Sequence, residues 1–149
     1  MNSFDVLVVG SGISGLSAAI AAAEGGLEVC ILSKEETLYE CNTYYAQGGI
    51  VGEGIQDNPE LLAADIMEAG DYLNYPKAVN LLAEEGPKAV NEYLIEKAGI
   101  PFFRNDEGDL DLTREGAHSV RRIIHVKDES GKAIELGLLE QVRQSPNIV

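Results

Sequence analysis

Two short apolar runs, with a helix-forming stretch between them, dominate the start of the chain. The β-branched run at residues 5–10 predicts a strand buried on both faces, and residues 27–32 predict a second strand. Residues 16–24 are strong helix formers, and Gly25 and Gly26 are expected to end that helix. The order strand, helix, strand is typical of a β-α-β unit in a parallel sheet.

Three glycines stand between the first strand and the helix, in the spacing GxGxxG. Gly10 permits a tight turn, Gly12 lets the backbone approach a pyrophosphate, and Gly15 lets the helix pack closely on the strand. The helix N-terminus adds N–H groups and the positive end of the helix dipole. Because a strand, a helix and a second strand surround the motif, it predicts dinucleotide binding rather than a tight turn alone.

The end of the second strand does not fit an NAD site. Dinucleotide sites usually place Asp or Glu there to hold the ribose hydroxyls. Here the strand ends in Ser33 and Lys34. Lys34 is expected either to face the adenosine or phosphate end of a ligand or to be a solvated lysine, and the residues alone leave both interpretations open.

Residues 40–50 form a polar segment that contains glycine and few charges. Its Asn, Thr and Gln side chains supply hydrogen-bond donors and acceptors, and Gly48 and Gly49 remove side chains where a flat ring would lie against the backbone. This composition predicts a loop that wraps a ligand. The alternative is an ordinary connecting loop with two core tyrosines.

Apolar residues recur at helical spacing through the rest of the chain. Helices are predicted over residues 60–69, with Asn58 as N-cap and Pro59 as first residue, and over residues 76–85, 87–98 and 132–144. Residues 105–108 predict a hairpin turn, and residues 147–149 predict the opening of a further strand. Residues 53–109 carry 13 acidic and 4 basic side chains, which we interpret as a solvated face rather than a cation site.

Charge and composition narrow the classes of partner. The 149 residues carry 25 acidic and 11 basic side chains, and this net charge of −14 works against nucleic-acid phosphates and anionic lipid surfaces. No apolar run reaches the roughly 20 residues that span a bilayer, and the N-terminus lacks the basic region of a signal peptide. Cys30 and Cys41 are too few for a disulfide framework or a zinc site. We therefore expect one domain, no metal, no membrane or nucleic-acid partner, and a cytoplasmic location.

Basic side chains gather in one short segment of this acidic chain. Residues 114–127 hold four of the eleven Lys and Arg residues and both histidines, His118 and His125. Such a cluster predicts an anion, which is either a ligand with carboxylates or phosphates or the protein's own acidic helices. Both interpretations stay open at this point.

Four motifs, taken in order, resemble one family of flavoproteins. The motifs are GSGISG at residues 10–15, LSK at 32–34, TYYAQGGI at 43–50 and LTREGAHSVRRIIH at 112–125. Over essentially its whole length the chain is similar to the L-aspartate oxidases, members of the succinate dehydrogenase and fumarate reductase superfamily. The resemblance implies an α/β, Rossmann-like FAD-binding fold with parallel strands, a helical insertion and small β-hairpin at residues 52–112, and an incomplete sheet. Residues 1–149 would then be the N-terminal part of an FAD-binding domain.

The resemblance also implies roles for individual residues. Asn42 stands where membrane-bound succinate dehydrogenases carry a histidine bonded to the flavin, which implies non-covalent FAD. Glu115 would orient the amino group of L-aspartate. The residues implied to contact FAD are Gly10, Ser11, Gly12, Ile13, Ser14, Gly15, Lys34, Asn42, Thr43, Tyr44, Tyr45, Ala46, Gln47, Gly48 and Gly49.

The implied reaction transfers a hydride from Cα of L-aspartate to the flavin and gives iminoaspartate, a precursor of quinolinate and NAD. Dioxygen or fumarate would reoxidise the flavin, and this fragment alone would be inactive. Two alternatives remain at this stage. One is a fragment of a soluble fumarate reductase or succinate oxidase, and the other is a nucleotide-binding module without catalysis.

Overall fold

The computed structural model describes residues 3–149, which divide into two compact units. The first unit contains the chain up to Gln47 together with residues 98–100 and 131–149, and the second contains residues 48–97 and 101–130. Each unit has buried apolar side chains of its own. In the first unit they include Leu16, Val29, Ile134 and Leu138, and in the second they include Leu62, Val79, Phe102 and Ile124.

The first unit contains the predicted β-α-β unit. It consists of β1 (Val6–Val9), α1 (Ile13–Glu24) and β2 (Val29–Leu32). The two strands pair in parallel, with Val6 opposite Val29, and α1 packs against both of them. The α/β class and the parallel strand pair predicted from the sequence are therefore confirmed.

Only one face of this strand pair is covered. Val29 and Ile31 are buried, whereas Leu7 and Val9 are 58% and 81% exposed. The prediction that the first strand is buried on both faces is therefore wrong. A continuously apolar run indicates two buried faces only where elements pack on both sides, and in the described part of the chain the face that carries Leu7 and Val9 stays open to solvent.

The end of the chain adds a third position to the parallel sheet. Ile148 pairs in parallel with Val29, on the edge of β2 away from β1. The Val29 N–H donates to the Asn147 carbonyl oxygen at 2.8 Å, and the Val149 N–H donates to the Val29 carbonyl oxygen at 2.9 Å. The predicted strand opening at residues 147–149 is confirmed, and β2 lies between two neighbours.

A single helical turn, α2 (Asn42–Tyr45), follows β2. The sequence predicted a loop here, which is wrong for these four residues because the Ala46 N–H donates to the Thr43 carbonyl oxygen at 3.1 Å and closes the turn. The rings of Tyr39 and Tyr44 also pack with centroids 5.3 Å apart. Tyr45 is exposed, so the alternative of a connecting loop with two core tyrosines does not hold for it.

The helix α5 (Ser130–Gln144) packs its first turn against the segment that contains α2. The Gly131 N–H donates to the Ala46 carbonyl oxygen at 3.1 Å, and a Cβ at Gly131 would collide with the carbonyl oxygens of Thr43 and Ala46. Only glycine permits this approach. The predicted helix over residues 132–144 is confirmed.

The second unit contains an antiparallel pair and most of the helical residues of the middle of the chain. Strands β3 (Gly49–Val51) and β4 (Ile123–His125) pair with Gly49 opposite His125. The helix α3 (Pro59–Ala69) begins as predicted, since the Leu61 N–H donates to Asn58 Oδ1 at 2.8 Å. The prediction of an N-cap followed by proline is confirmed.

The next two predicted helices are one continuous helical segment. The helix α4 (Pro76–Ala89) contains Pro87 and leads without a break into a π-helical segment, Val90–Lys97. The prediction of separate helices over 76–85 and 87–98 is wrong. Pro87 removes one N–H and disturbs the winding, but its neighbours keep their other backbone bonds, so the irregularity is absorbed by wider turns instead of ending the helix.

The predicted hairpin around residues 105–108 is short. Arg104 and Leu110 form one antiparallel bridge, and the Asn105 N–H donates to the Asp109 carbonyl oxygen at 2.8 Å. The tight turn is confirmed. Among the helices of residues 3–149, none has the length and apolar character needed to cross a bilayer.

Candidate functional site

A cavity of about 540 Å³ opens at the carboxyl ends of β1 and β2 in the first unit. Strand ends, the turn before α1 and the segment up to α2 surround it. Its lining residues are Val9, Gly10, Ser11, Gly12, Leu32, Ser33, Lys34, Glu35, Glu40, Cys41, Asn42, Thr43 and Tyr45. Ligands of open parallel sheets bind at this position, outside the carboxyl ends of the strands.

Each of the three motif glycines is required in the structure for a different physical reason. Gly10 has φ +112°, a conformation that L side chains rarely adopt. A Cβ on Gly12 would lie 3.1 Å from Thr43 Oγ1, and a Cβ on Gly15 would collide with the Gly10 carbonyl oxygen. The glycines thus shape the turn, keep the cavity floor free of side chains and let α1 approach β1.

The N-terminus of α1 faces this cavity without a side-chain cap of its own. Gly12 is the N-cap residue and has no side chain to satisfy the first N–H groups. Thr43 Oγ1 accepts from the Ile13 N–H at 3.0 Å, and the buried Ser11 hydroxyl donates to the Leu38 carbonyl oxygen at 2.6 Å. The segment after β2 is therefore hydrogen-bonded directly to the glycine turn that precedes α1.

Charged side chains around the cavity are paired with one another. Lys34 Nζ lies 3.4 Å from Glu35 Oε1, and the Lys34 side chain is 88% exposed. The Tyr45 hydroxyl donates to Glu40 Oε1 at 2.6 Å, and this hydrogen bond to the carboxylate is the main reason why the pKa of Tyr45 is raised. Lys34 thus lines the cavity and is solvated at the same time, and its predicted contact with a ligand stays a prediction.

The structure brings together most of the predicted cofactor residues. Gly10, Ser11, Gly12, Lys34, Asn42, Thr43 and Tyr45 line the cavity. Ile13, Ser14 and Gly15 form the first turn of α1 beside it, whereas Tyr44, Ala46 and Gln47 do not line it. Gly48 and Gly49 belong to the second unit.

Several cavity residues were not predicted. Cys41 and Glu40 directly precede the predicted stretch from Asn42, and Val9, Leu32, Ser33 and Glu35 flank motif residues. Their signal was simply position, since the carboxyl ends of adjacent parallel strands meet at one edge of the sheet.

Glu135 is a buried carboxyl group close to this cavity. It lies on α5 and is fully buried, and within residues 3–149 neither of its carboxylate oxygens has a hydrogen-bond partner. Burial raises its pKa from 4.5 to about 7, although the neighbouring Cys41 thiol acts in the opposite direction. Cys41 lines the cavity, so the buried carboxyl stands directly behind the cavity wall.

In the second unit, Glu115 lies beside Gly48, the residue that precedes β3. A Cβ on Gly48, whose φ is +78°, would stand 3.2 Å from Glu115 Oε1. The loop that carries Glu115 turns back on itself, since the His118 N–H donates to the Glu115 carbonyl oxygen at 3.3 Å and Ala117 has φ +67°. The structure therefore places Glu115 next to Gly48, and the substrate and flavin roles of these two residues stay predictions.

A buried ion cluster fixes the base of this loop. The Arg122 side chain is fully buried and contacts Asp57 at 2.7 Å and Asp65 at 2.6 Å. Asp65 also accepts hydrogen bonds from the Ser119 N–H and hydroxyl at 2.8 and 2.9 Å. Burial opposes ionisation of Asp65, but the bonds from Ser119 and Arg122 together outweigh it and lower the pKa of that carboxyl.

The basic segment at residues 114–127 left two partners open, a ligand anion or the protein's own acidic helices. The ion cluster identifies the partner of one of its residues. Arg122 pairs with carboxylates of the acidic region itself, so the interpretation of internal ion pairs is correct for this residue. Arg114 and Arg121 instead line an open groove of about 830 Å³, with Thr113 and Ser119 among its other residues. For these two arginines the interpretation of a ligand anion stays a prediction. In the described part of the chain, no group of three or more His, Cys, Asp or Glu side chains is arranged to hold a metal ion.

The first-unit cavity fits the pyrophosphate end of FAD. At Gly10 the space that a Cβ would enter is open, and Gly12 adds no side chain of its own at the helix N-terminus, where Thr43 Oγ1 accepts from the Ile13 N–H. A diphosphate accepts hydrogen bonds only, which matches a floor of backbone N–H groups at the positive end of a helix.

Sequence comparisons point in the same direction. Residues 5–149 match the family model of the FAD binding domain. An L-aspartate oxidase of Clostridium acetobutylicum is 39% identical over 97% of this chain and 32% of its own length, and one of Pseudomonas aeruginosa is 43% identical over 97% of this chain and 28% of its own length. The chain thus spans a third or less of the curated relatives that it matches.

Comparison with solved structures identifies related folds. The apo Mycobacterium smegmatis Sdh1 complex matches with a TM-score of 0.90 and 29% identity over 99% of this chain and 27% of that chain. An E. coli quinol fumarate reductase matches with a TM-score of 0.91 and 27% identity over 98% of this chain and 25% of that chain. With the glycine turn, the cavity and a family match that spans nearly every residue, this chain belongs to the FAD binding domain family of flavoprotein oxidoreductases.

Proposed function

We propose that this chain is the FAD-binding part of an L-aspartate oxidase. The whole enzyme would oxidise L-aspartate to iminoaspartate, with dioxygen or fumarate as electron acceptor, in the biosynthesis of NAD. The observation that carries the proposal is the position of Glu115 beside Gly48, within the loop implied to hold the flavin. Relatives named L-aspartate oxidase support it with 39–43% identity.

The cofactor residues divide into two groups in this proposal. Backbone N–H groups of residues 10–15 hold the pyrophosphate, with Lys34 toward the adenosine end, and residues 42–49 contact the flavin side. Asn42 has no imidazole that could bond to the flavin, so the FAD is non-covalent. When bound, FAD supplies the hydride acceptor for the reaction. Free Cys30 and Cys41 support a location in the reducing cytoplasm.

Glu115 gives the site its preference for an amino acid. Within residues 3–149 the Glu115 carboxylate makes no hydrogen bond or ion pair, and the residue is exposed. A free carboxylate is the natural partner of a substrate ammonium group, which L-aspartate has and succinate lacks. A charged contact of this kind discriminates between such substrates by about 1–3 kcal/mol, or five- to 150-fold.

The deciding experiment is steady-state kinetics of the full-length flavoprotein with L-aspartate and with succinate. We expect turnover of L-aspartate, and a decrease of about tenfold to a hundredfold in kcat/KM for Glu115→Gln. Glu107→Gln, in the exposed hairpin turn, is the matched control and should leave kcat/KM unchanged. Unchanged aspartate kinetics in the Glu115 variant would remove the basis of the proposal.

FAD binding is tested separately, by flavin absorbance after gel filtration. We expect the wild-type protein to retain FAD, and Gly12→Val to lose it, because a side chain there would enter the space beside Thr43. Gly116→Ala is the control, since a Cβ at Gly116 meets no atom within 4 Å. Retention of FAD by the Gly12 variant would show that the cofactor lies elsewhere.

A second candidate is a fumarate reductase or succinate-oxidising flavoprotein. The similarity to the solved quinol fumarate reductase and Sdh1 structures favours it. This candidate predicts turnover of succinate or fumarate with no oxidation of L-aspartate. The same kinetic comparison therefore separates the two candidates.

A further inference from the structure

His118 has two ring nitrogens in unequal surroundings. Arg122 Nη1 lies 3.1 Å from His118 Nδ1. A guanidinium group has five donors and no acceptor, so Nδ1 must accept this hydrogen bond. The proton of the neutral ring is then on Nε2.

Arg122 is held in a fixed orientation. Its Nε and Nη2 donate to the two carboxylate oxygens of Asp57 at 2.7 and 2.8 Å, and its Nη1 donates to Asp65 Oδ2 at 2.6 Å. Bidentate contact on one edge and a second carboxylate on the other fix the plane of the guanidinium. The direction of the N–H that reaches His118 is thereby fixed as well.

The same cluster fixes the backbone that carries the histidine. Asp65 Oδ2 accepts from both the N–H and the hydroxyl of Ser119, the residue that follows His118. Asp65 therefore holds the guanidinium that contacts the ring and the peptide group next to the ring.

The second ring nitrogen is left for a ligand. His118 is half-buried, and no hydrogen bond to Nε2 is present within residues 3–149. Within residues 3–149, the buried polar atoms that lack a hydrogen-bond partner do not include His118 Nε2. Since Nε2 has no partner, it is accessible to solvent. An accessible N–H with a fixed direction is a preorganised donor.

We infer that His118 is a substrate-binding residue, whose Nε2–H donates to a carboxylate oxygen of the ligand, and that Arg122, Asp57 and Asp65 are positioning residues that fix its proton. The inference rests on the proposed function, because Glu115 accounts only for the ammonium group of L-aspartate. The two residues lie three positions apart on one turn, joined by the bond from the His118 N–H to the Glu115 carbonyl oxygen. Together they recognise an α-amino dicarboxylate by both of its charges.

Two substitutions of His118 separate the two nitrogens in the full-length enzyme with FAD. In His118→Asn the amide oxygen takes the place of Nδ1 and keeps the bond from Arg122, but the donor at Nε2 is lost. In His118→Gln the longer side chain places an amide N–H near Nε2. We expect KM for L-aspartate to rise about tenfold to a hundredfold in the Asn variant and to recover in part in the Gln variant, with a smaller change in kcat.

The proton position is measured directly by ¹⁵N NMR of histidine-labelled protein, with the His118 signals assigned by their loss in His118→Asn. We expect the Nε2–H tautomer in the wild type and a mixture of tautomers in Asp65→Asn. A purely structural role would leave both KM and the tautomer unchanged while lowering the melting temperature.

An Nδ1–H tautomer in the wild-type protein would overturn the inference. So would a KM for L-aspartate in His118→Asn equal to that of the wild type. If the wild-type enzyme oxidises succinate but not L-aspartate, the proposed function fails, while KM for succinate and the ¹⁵N spectrum still test His118. If the Asn variant does not fold, the Gln variant and the spectrum of the wild type decide.

Discussion

Each of the two units buries a carboxyl group, and the pKa values of the two groups are shifted in opposite directions. Asp65 in the second unit receives hydrogen bonds from Ser119 and Arg122, and its pKa is lowered even though burial acts against this. In the described part of the chain, Glu135 of the first unit has no hydrogen-bond partner for either carboxylate oxygen, and burial raises its pKa to about 7. Burial is the largest single influence in both cases, so the partner decides which charge state is stable.

The contrast distinguishes two ways of building a site. The loop that carries Glu115 is fixed by ionised side chains, which direct their partners but leave a destabilising charge if one of them is removed. The cavity turn is built from glycine contacts and backbone bonds, and burial raises the pKa of the carboxyl behind it to about 7, so this group titrates near neutral pH. We expect the two units to respond differently to pH.

The largest effect is expected from Arg122→Met. This change leaves Asp57 and Asp65 buried without a counter-ion, so the free energy of unfolding at pH 7 should fall by about 3–5 kcal/mol. Urea unfolding at pH 7 and at pH 4 measures it, and the loss should be smaller at pH 4, where the unpaired carboxyl groups take up protons. Lys88→Met removes an exposed pair with Glu85 and should cost less than about 1 kcal/mol. Equal losses in both variants would mean that the buried cluster contributes no more than a surface pair.

The second prediction concerns the unpaired carboxyl group. The folded-state pKa of Glu135 is raised from 4.5 to about 7, so its favourable contribution is complete below pH 4.5 and is lost as the pH rises through 7. Glu135→Gln should therefore be more stable than the wild type by about 3 kcal/mol at pH 8 and similar to it at pH 4.5. Thermal unfolding across this range measures the difference.

Glu140→Gln, on the same helix and exposed, is its control and should show no such pH dependence. A constant difference between Glu135→Gln and the wild type at all pH values would mean that the pKa of Glu135 is not raised in the folded protein.

The third prediction tests the paired carboxyl group. The pKa of Asp65 is lowered from 3.8, so its contribution is present above the unfolded-state value and is lost as the pH falls through the folded-state value. Asp65→Asn should lower the free energy of unfolding at pH 7 by about 1–3 kcal/mol, and the difference should shrink in acid. Urea unfolding between pH 2 and pH 7 measures both the loss at pH 7 and its decrease in acid. Glu68→Gln, exposed on the same helix, should have no effect, and a difference for Asp65→Asn that grows in acid would reverse the assignment.

The smallest effect is expected from Ala117→Gly. This variant tests whether the backbone conformation of Ala117, in addition to the ion cluster, determines the stability of the loop that carries Glu115. Its φ of +67° is unfavourable for alanine by about 1–2 kcal/mol, while glycine loses about 0.5–1 kcal/mol of chain entropy. Ala117→Gly should therefore stabilise the protein by up to about 1 kcal/mol in thermal unfolding. Gly116→Ala, at ordinary φ, serves as the comparison. Destabilisation by Ala117→Gly would show that the alanine methyl group makes a contact of its own.

Local patterns predicted the cavity, because its parts are adjacent in sequence. The GxGxxG spacing, the two strands and the helix between them place Gly10, Gly12 and Lys34 at one edge of the sheet, as the structure shows. The loop around Asn42 was predicted as ligand-binding although its helical turn was not. A one-turn helix depends on a single backbone bond, which has no strong sequence signal.

Long-range pairing was only half predictable. The cluster of cations in an acidic chain predicted ion pairs, but nothing in the sequence selects Asp57 and Asp65 among the 25 acidic residues. The burial of Glu135, in contrast, could have been predicted from the sequence. This residue lies four residues after Gly131 and three before Leu138, within the stripe of α5 that is buried, so helical spacing alone places a carboxyl group in the core.

The position of β2 between two neighbours also bears on the order of folding. Val29 pairs with Val6, 23 residues earlier, and with Ile148, 119 residues later. The first pairing closes a short loop and can form as soon as both strands have been synthesised, whereas the second must wait until residues 147–149 have been synthesised. Until then, one edge of β2 presents unpaired backbone groups beside the exposed Leu7 and Val9 face. During synthesis this edge is therefore open to mispairing until residues 147–149 emerge.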